Sequence, residues 1–578
     1  MKDQVRIMED KKAYPSRQTL VEDRAASRVY AKDATLYSFS EEAEEHSSNF
    51  MGWTDLATNP PCPLDEITAL ARSFIDRGFE LAILIGQGGS TQAAMTMTKY
   101  FKDEATGMKF RVLDSDSPVR LRGILADADP RTTLVIVSSK SGGTLEMNSM
   151  LSAVVEAFSA VLDEDELPLH LVAISDPDSP LAKRAQDEGW AGLLLGEPTV
   201  GGRFSALTVF GLFPAALVGI DLQKLIKSAG EMELACREDS LENPAIELAA
   251  FMYDNWLAGR DKISFLTQKS GRVLGLWVEQ LVAESTGKQG LGILPQLEID
   301  PLFLRRDTGD RMVVSYLTHE HSWDDIKEFQ MALGCVSEEI PRLDFEIDSV
   351  YDLAKHFVMW EYATALCCHL MQVSPFDQPD VASAKEKVLE MLEGELPAPD
   401  FVEEMVVGSN VGNAEAYLSK CCSDALNIRS ALRALLESFK PGDYFALNAF
   451  VPFTGEGRRE ALETIRRDVA SSRMIASCLE IGPRYLHSTG QLQKGGPNTG
   501  VYLILSAGEL KDISIPNGKA PTLGALAKAQ ACGDMAILSE RGRRCLHLHL
   551  PDNSGITLRC LSNIVAQVLS EIERSEQQ

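Results

Sequence analysis

Between residues 81 and 196 the chain alternates short, mostly apolar runs with longer segments whose apolar residues recur at helical spacing. The runs are LAILIG at 81–86, FRVLD at 110–114, TLVIVSS at 133–139, LHLVAIS at 169–175 and LLLG at 193–196. Runs of this length without polar alternation suit strands covered on both faces. The intervening segments, such as Asp65 to Phe79 and Thr144 to Leu162, read as the covering helices. The pattern predicts a doubly wound α/β domain around a parallel sheet. Ligands of such a sheet belong at the carboxyl ends of its strands.

The alternation resumes near Ile263 with ISFLT, a helix through Trp277 to Glu284, MVVSYL at 312–317, LDFEI at 343–347 and a long helix from Tyr351 to about Met371. Around Glu393-Gly-Glu-Leu-Pro-Ala-Pro-Asp400 the composition turns acidic and proline-rich, which marks a linker or an exposed turn. Beyond it, strands are predicted at Tyr444 to Val451, Cys478 to Ile481, Val501 to Ser506 and Cys545 to Leu550. Helices are expected near 456–472, 522–539 and 558–572. The expected division is an N-terminal extension over 1–50 that wraps the first domain as helices and turns, a first domain over 51–230, a second over 231–395 and a C-terminal domain over 396–578. The fold class is α/β, with two doubly wound parallel-sheet domains followed by a third α/β domain. A chain of 578 residues with 45% hydrophobic content is long enough for several cores.

Charge narrows the partners. The formal net charge is −28, from 84 acidic against 56 basic residues, which repels a phosphate backbone and argues against nucleic acid. An acidic chain that binds an anion must build local positive potential from backbone N–H groups, helix N-termini and a few chosen cations. The eleven cysteines include the adjacent pairs Cys367-Cys368 and Cys421-Cys422, but show no zinc spacing and no regular disulfide framework. They read as reduced thiols of a cytosolic protein. The opening Met-Lys-Asp-Gln-Val carries no apolar core of a signal peptide, and the longest apolar run, Gly211 to Ile220, is interrupted by Pro214 and too short to span a bilayer. A cytoplasmic location and no membrane partner are expected.

Two strand-to-helix turns carry candidate chemistry. Gly86-Gln-Gly-Gly-Ser90 lets the backbone approach an anion, with Gly88, Gly89 and Ser90 as the candidate contacts. Its alternative reading is a plain tight turn. The dinucleotide pattern GxGxxG is not met, because Thr91 stands at its last glycine, so no nicotinamide cofactor is implied. The second turn, Ser138-Ser-Lys-Ser-Gly-Gly-Thr144, places Ser139, Lys140, Ser141 and Thr144 at a helix start, where hydroxyls suit a phosphate monoester or simply cap the helix.

With Gly201-Gly-Arg-Phe-Ser205, Glu284-Ser-Thr-Gly-Lys288 and Ser374-Pro-Phe-Asp-Gln-Pro-Asp380 followed by Lys385, the two turns form five motifs in one order. Over roughly residues 50 to 390 the chain thereby resembles the glucose-6-phosphate isomerase family, whose fold is a pair of sugar isomerase domains. It is most similar to the isomerase half of bacterial transaldolase/glucose-6-phosphate isomerase fusions, on ESTGK-x-G-x-GILP at 284–295, PFDQPDV at 375–381 and YLHSTGQLQKGGPNTG at 485–500. A transaldolase barrel is not expected, for want of room upstream.

The resemblance implies an aldose–ketose isomerase acting on a sugar phosphate with no cofactor and no metal, and a homodimer. Glu284 is the implied base that moves a proton between C2 and C1, and burial in a cleft would suit it to that task. Arg203 is the implied fixed cation for the enediolate, and Lys385 the implied lysine for opening the sugar ring. The family's ring-opening histidine is absent, because Asp307-Thr-Gly-Asp-Arg-Met312 stands in its place. His487, beside Lys494 in the third domain, is the substitute candidate. Two other functions fit the motifs: an isomerase that also accepts mannose 6-phosphate, and a sugar-phosphate-binding regulator without turnover.

Overall fold

The computed structural model describes residues 14–269, 271–298, 300–318, 323–394, 396–516 and 518–578. These form two compact units. The first comprises residues 14–112, 128–147 and 158–378, and the second comprises 113–127, 148–157 and 379–578.

The first unit contains two sheets. One is built from β1 (Leu81–Ile85), β2 (Lys109–Leu113), β3 (Thr133–Ser138), β4 (Leu171–Ser175) and β5 (Gly192–Leu195) in the order β2-β1-β3-β4-β5. The pairs β1·β3, β3·β4 and β4·β5 are parallel. Every residue of β1, β3 and β4 is buried, which is why these runs show no period of two in the sequence. The second sheet holds β6 (Lys262–Thr267), β7 (Leu294–Leu297), β8 (Arg311–Thr318) and β9 (Arg342–Ile347) in the order β7-β6-β8-β9, with all three pairings parallel. The four-residue β7 was not predicted. It is short and begins Leu-Pro, and Pro295 tolerates a strand only where no ladder donor is needed.

One contiguous core joins the two sheets: Leu84 and Ile136 of the first belong to the same apolar cluster as Ile263 and Met312 of the second. The helix Leu353–Met371 lies within it and is buried on nearly every side, including Trp360. Residues 14–50 form short helices that attach to the helices Pro244–Leu257 and Leu353–Met371. Ser16 Oγ donates to Asp254 Oδ1 at 2.5 Å, Tyr37 OH donates to the Ala365 carbonyl at 3.2 Å, and His369 Nδ1 lies 3.0 Å from the Leu36 carbonyl oxygen.

The second unit is built on a mixed six-stranded sheet: β10 (Phe401–Val407), β11 (Asn410–Leu418), β12 (Tyr444–Phe450), β13 (Ala476–Ile481), β14 (Gly500–Ala507) and β15 (Arg544–Leu550), in the order β10-β11-β15-β14-β12-β13. Strands β12 to β15 pair in parallel, whereas β10 and β11 form an antiparallel hairpin that joins β15 antiparallel. The hairpin has no counterpart among the predicted strands, because Glu403-Glu404 breaks its apolar pattern and resembles a continuation of the acidic linker. It turns at Gly408, whose φ of 61° favours glycine. The helix Pro379–Glu393 belongs to this second unit. Among the described residues no helix is long and apolar enough to cross a membrane, and the eleven cysteines are free thiols.

Candidate active site

The first cradle is shaped by what its glycines touch. A Cβ on Gly86 would sit 2.5 Å from the Ser138 carbonyl oxygen, and one on Gly89 would sit 2.1 Å from the Gly202 carbonyl oxygen. Gly88 has φ 54°. The turn after β1 is thus pressed backbone to backbone against the turn that carries Arg203. The helix Gly89–Tyr100 begins here without a side-chain cap, and Ser90 sits half-buried in its first turn. An uncapped N-terminus presents N–H groups and a positive dipole end to an anion.

In the second cradle Ser139 Oγ lies 3.0 Å from Thr144 Oγ1 and accepts from the Gly142 N–H at 3.1 Å. The exposed Ser141 accepts from the Gly143 N–H at 3.4 Å. Lys140 is committed elsewhere. Its ammonium pairs with Asp176 and donates to the Pro198 carbonyl at 3.0 Å, which makes it a tether of the loop rather than an open cation. Burial pushes the Asp176 carboxyl above its ordinary value, with the lysine opposing.

Glu284 lies in the last turn of the helix Arg272–Thr286, and both it and Arg203 are buried. Arg203 Nη1 is 3.0 Å from Glu284 Oε1, and Gln280 Nε2 donates to Glu284 Oε2 at 3.2 Å. The rest of the guanidinium is fully engaged. Nε donates to Ser285 Oγ at 3.0 Å, Nη1 to Gln378 Oε1 at 2.7 Å, and Nη2 to the carbonyls of Pro375 and Asp377 at 2.7 and 2.9 Å. Lys288 grips the same stretch from the other motif. Its Nζ donates to the Ser374 carbonyl at 2.6 Å and reaches Asp377 Oδ1 at 2.6 Å. Burial lowers the Lys288 ammonium from its ordinary value, Asp377 opposes this, and the nearby Arg203 adds to it. Phe204 and Phe376 complete the joint, with ring centroids 5.5 Å apart and Trp53 stacked on Phe204 at 4.8 Å.

The structure therefore brings Arg203 and Glu284 together and joins the Arg203 turn to the first cradle. Gln280, Lys288 and Gln378 were not singled out from the sequence. Gln280 stands four residues before Glu284 on one helix, a spacing that puts both on one face, whereas the partners of Lys288 and Gln378 are set by long-range packing. Lys385 and His487 both lie in the second unit. Lys385 is exposed on the helix Pro379–Glu393, and His487 is half-buried in the short turn Arg484–His487. The run that follows His487 holds this helix, because the Asp380 N–H donates to Gln491 Oε1 at 3.0 Å and Gln491 Nε2 returns a bond to Asp380 Oδ2 at 2.6 Å. Lys494 is fully buried in an ion pair with Asp534 at 2.5 Å, which also accepts from Tyr485 OH.

The two turns can cradle an anion, and Arg203 holds a buried carboxylate in the same unit. Residues 77–291 match the phosphoglucose isomerase family. Parts of the chain are similar to proteins named glucose-6-phosphate isomerase. It is 28% identical over 390 residues to the glucose-6-phosphate isomerase of Mycoplasmopsis pulmonis, covering 60% of this chain and 90% of that protein. The glucose-6-phosphate isomerase of Nostoc punctiforme is 34% identical over 212 residues, covering 36% of this chain and 40% of that protein. Among solved structures, a hypothetical protein of Thermus thermophilus aligns with a TM-score of 0.58 at 25% identity over 68% of this chain and all of that one. A glucose-6-phosphate isomerase of Chlamydia trachomatis shares the fold, with a TM-score of 0.53 at 17% identity over 67% of this chain and 86% of that one.

Proposed function

We propose that the protein interconverts glucose 6-phosphate and fructose 6-phosphate through a cis-enediol. The observation that carries this reading is the buried Arg203–Glu284 pair, 3.0 Å apart, with Arg203 on a turn whose backbone touches the Gly88-Gly89-Ser90 cradle at Gly89. The substrate phosphate is assigned to Gly88, Gly89, Ser90, Ser139, Ser141 and Thr144, with Lys140 fixing the loop. Glu284 takes the C2 proton of the open-chain aldose and returns it to C1. The Arg203 guanidinium, which cannot give up its proton at neutral pH, balances the charge that develops on the enediolate oxygens. The Gln280 amide and the Arg203 fork orient the carboxylate, so little reorganisation is needed when the proton moves.

Ring opening is assigned to Lys385 and His487, supported by the sequence motifs in which they stand and by the bonds between Gln491 and Asp380 that tie those motifs together. A homodimer and the subtype of the isomerase half of transaldolase/glucose-6-phosphate isomerase fusions belong to the same proposal, the latter resting on the runs 284–295, 375–381 and 485–500. The test is turnover of fructose 6-phosphate alongside mannose 6-phosphate in wild type and His487→Asn. Isomerisation of the former that slows in the variant supports the assignment. Binding of either sugar without turnover would make the protein a regulator instead. Sedimentation of the active protein tests the dimer, and a fully active monomer would contradict it.

A further inference from the structure

The second sheet of the first unit carries a cavity that the proposed isomerase does not use. It opens at the carboxyl end of β6 and encloses about 330 Å³, within the range of roughly 300–1,000 Å³ usual for small-molecule sites. Its place in the fold repeats that of the first cradle. β6 sits between β7 and β8 as β1 sits between β2 and β3, and each of the two strands runs through a turn into a helix. Both turns carry a buried glutamine, Gln87 in one and Gln268 in the other, and the sequence Lys269-Ser270-Gly271 repeats Lys140-Ser141-Gly142 of the second cradle. A Cβ on Gly271 would lie 2.1 Å from Thr267 Oγ1, so this turn too is fitted to glycine. The helix Arg272–Thr286 then starts without a side-chain cap.

Gln268 supplies an independent sign that something binds there. It lines the cavity and is 3% exposed. Its Oε1 is held by the N–H and hydroxyl of Thr318 at 2.8 and 3.0 Å, which fixes the amide and leaves the buried Nε2 without a partner. The Thr267 hydroxyl in the same wall is also buried without a partner. Buried donors are normally satisfied, so an acceptor from outside the chain is the natural completion. The charged lining is mixed. Lys269, Arg272 and Arg305 face the cavity together with Glu298, Asp325 and Glu328, and Lys269 pairs with Glu328 at 3.1 Å. Cations at an uncapped helix start suit a phosphate, whereas the buried Glu298 carboxylate suits hydroxyl donors.

We propose that this cavity is a second binding site, for a small phosphorylated polyhydroxy compound whose phosphate meets Gln268, Lys269 and Arg272 and whose hydroxyls meet Glu298. The proposal does not depend on the isomerase reading. Cys335 offers a local reporter, since it lines the cavity and its Sγ is 4.0 Å from Arg305 Nη2. The full-length protein is alkylated with iodoacetamide in the presence of fructose 6-phosphate, inorganic phosphate or potassium chloride at matched ionic strength, and the modified peptides are quantified. Both phosphates are expected to slow alkylation of Cys335 saturably while leaving the half-buried Cys62 and Cys560 unchanged. That protection should be lost in Lys269→Ala and Gln268→Leu and kept in Ser139→Ala, which weakens the first-sheet cradle. No protection of Cys335, equal protection by chloride, or protection that survives both cavity variants would overturn the proposal.

Discussion

Replacing Arg203 with lysine keeps the charge and removes the fork. Arg203 serves five separate acceptors: Ser285 Oγ, the Pro375 and Asp377 carbonyls, Gln378 Oε1 and Glu284 Oε1. A lysine ammonium has three donors and at most reaches three of them. Two acceptors are then stranded in a pocket where the arginine side chain is 3% exposed. At about 1–3 kcal/mol for each buried group left unpaired, Arg203→Lys should destabilise the first unit by about 4 kcal/mol. The six tryptophans, Trp53, Trp190, Trp256, Trp277, Trp323 and Trp360, all lie in that unit. Intrinsic fluorescence during urea unfolding therefore reports on it selectively. A variant whose tryptophan-reported transition coincides with that of wild type would refute the claim that the guanidinium geometry, rather than its charge, holds the 375–378 turn.

Gly89→Ala puts a methyl group 2.1 Å from the Gly202 carbonyl oxygen, and neither backbone can yield cheaply. The variant should raise KM for the sugar phosphate and weaken inhibition by inorganic phosphate, and unchanged values of both would remove this turn from the phosphate site. In the second unit, burial pushes the Glu509 carboxyl up to about 7, with the Asn553 amide opposing. Its folded-state pKa thus lies above its unfolded value, so the folded state holds the proton over the interval between them. Stability should rise as pH falls from about 7 toward the ordinary carboxylate range. The partial exposure of this residue makes the effect smaller than full burial would give. Thermal unfolding of wild type and Glu509→Gln across that interval tests it, and parallel profiles would show that the group does not titrate as described.

Much of the first unit was legible because its strands are buried on both faces and so print continuous apolar runs. β7 and the β10–β11 hairpin escaped because the one is four residues long around Pro295 and the other mixes exposed valines with acidic residues. The cradles and the Arg203 and Glu284 motifs were visible as local patterns of glycine, hydroxyl and charge. Their mutual placement was not, because the contacts Gly89–Gly202, Arg203–Glu284 and Lys288–Asp377 join segments far apart in the chain. The commitment of Lys140 to Asp176 is set by the same kind of long-range packing, and the cavity beside Gln268 leaves no sequence signal beyond a single short Lys-Ser-Gly repeat.

The base assigned to Glu284 is tested by a coupled assay of fructose 6-phosphate conversion to glucose 6-phosphate with wild type and Glu284→Gln. The substitution keeps the size of the side chain and a hydrogen-bond acceptor for Arg203 but removes the base. Wild type should turn over, and the variant should lose at least about 10²-fold in kcat with substrate binding retained. Wild-type protein that binds fructose 6-phosphate and does not turn it over, or a variant as active as wild type, would contradict this assignment.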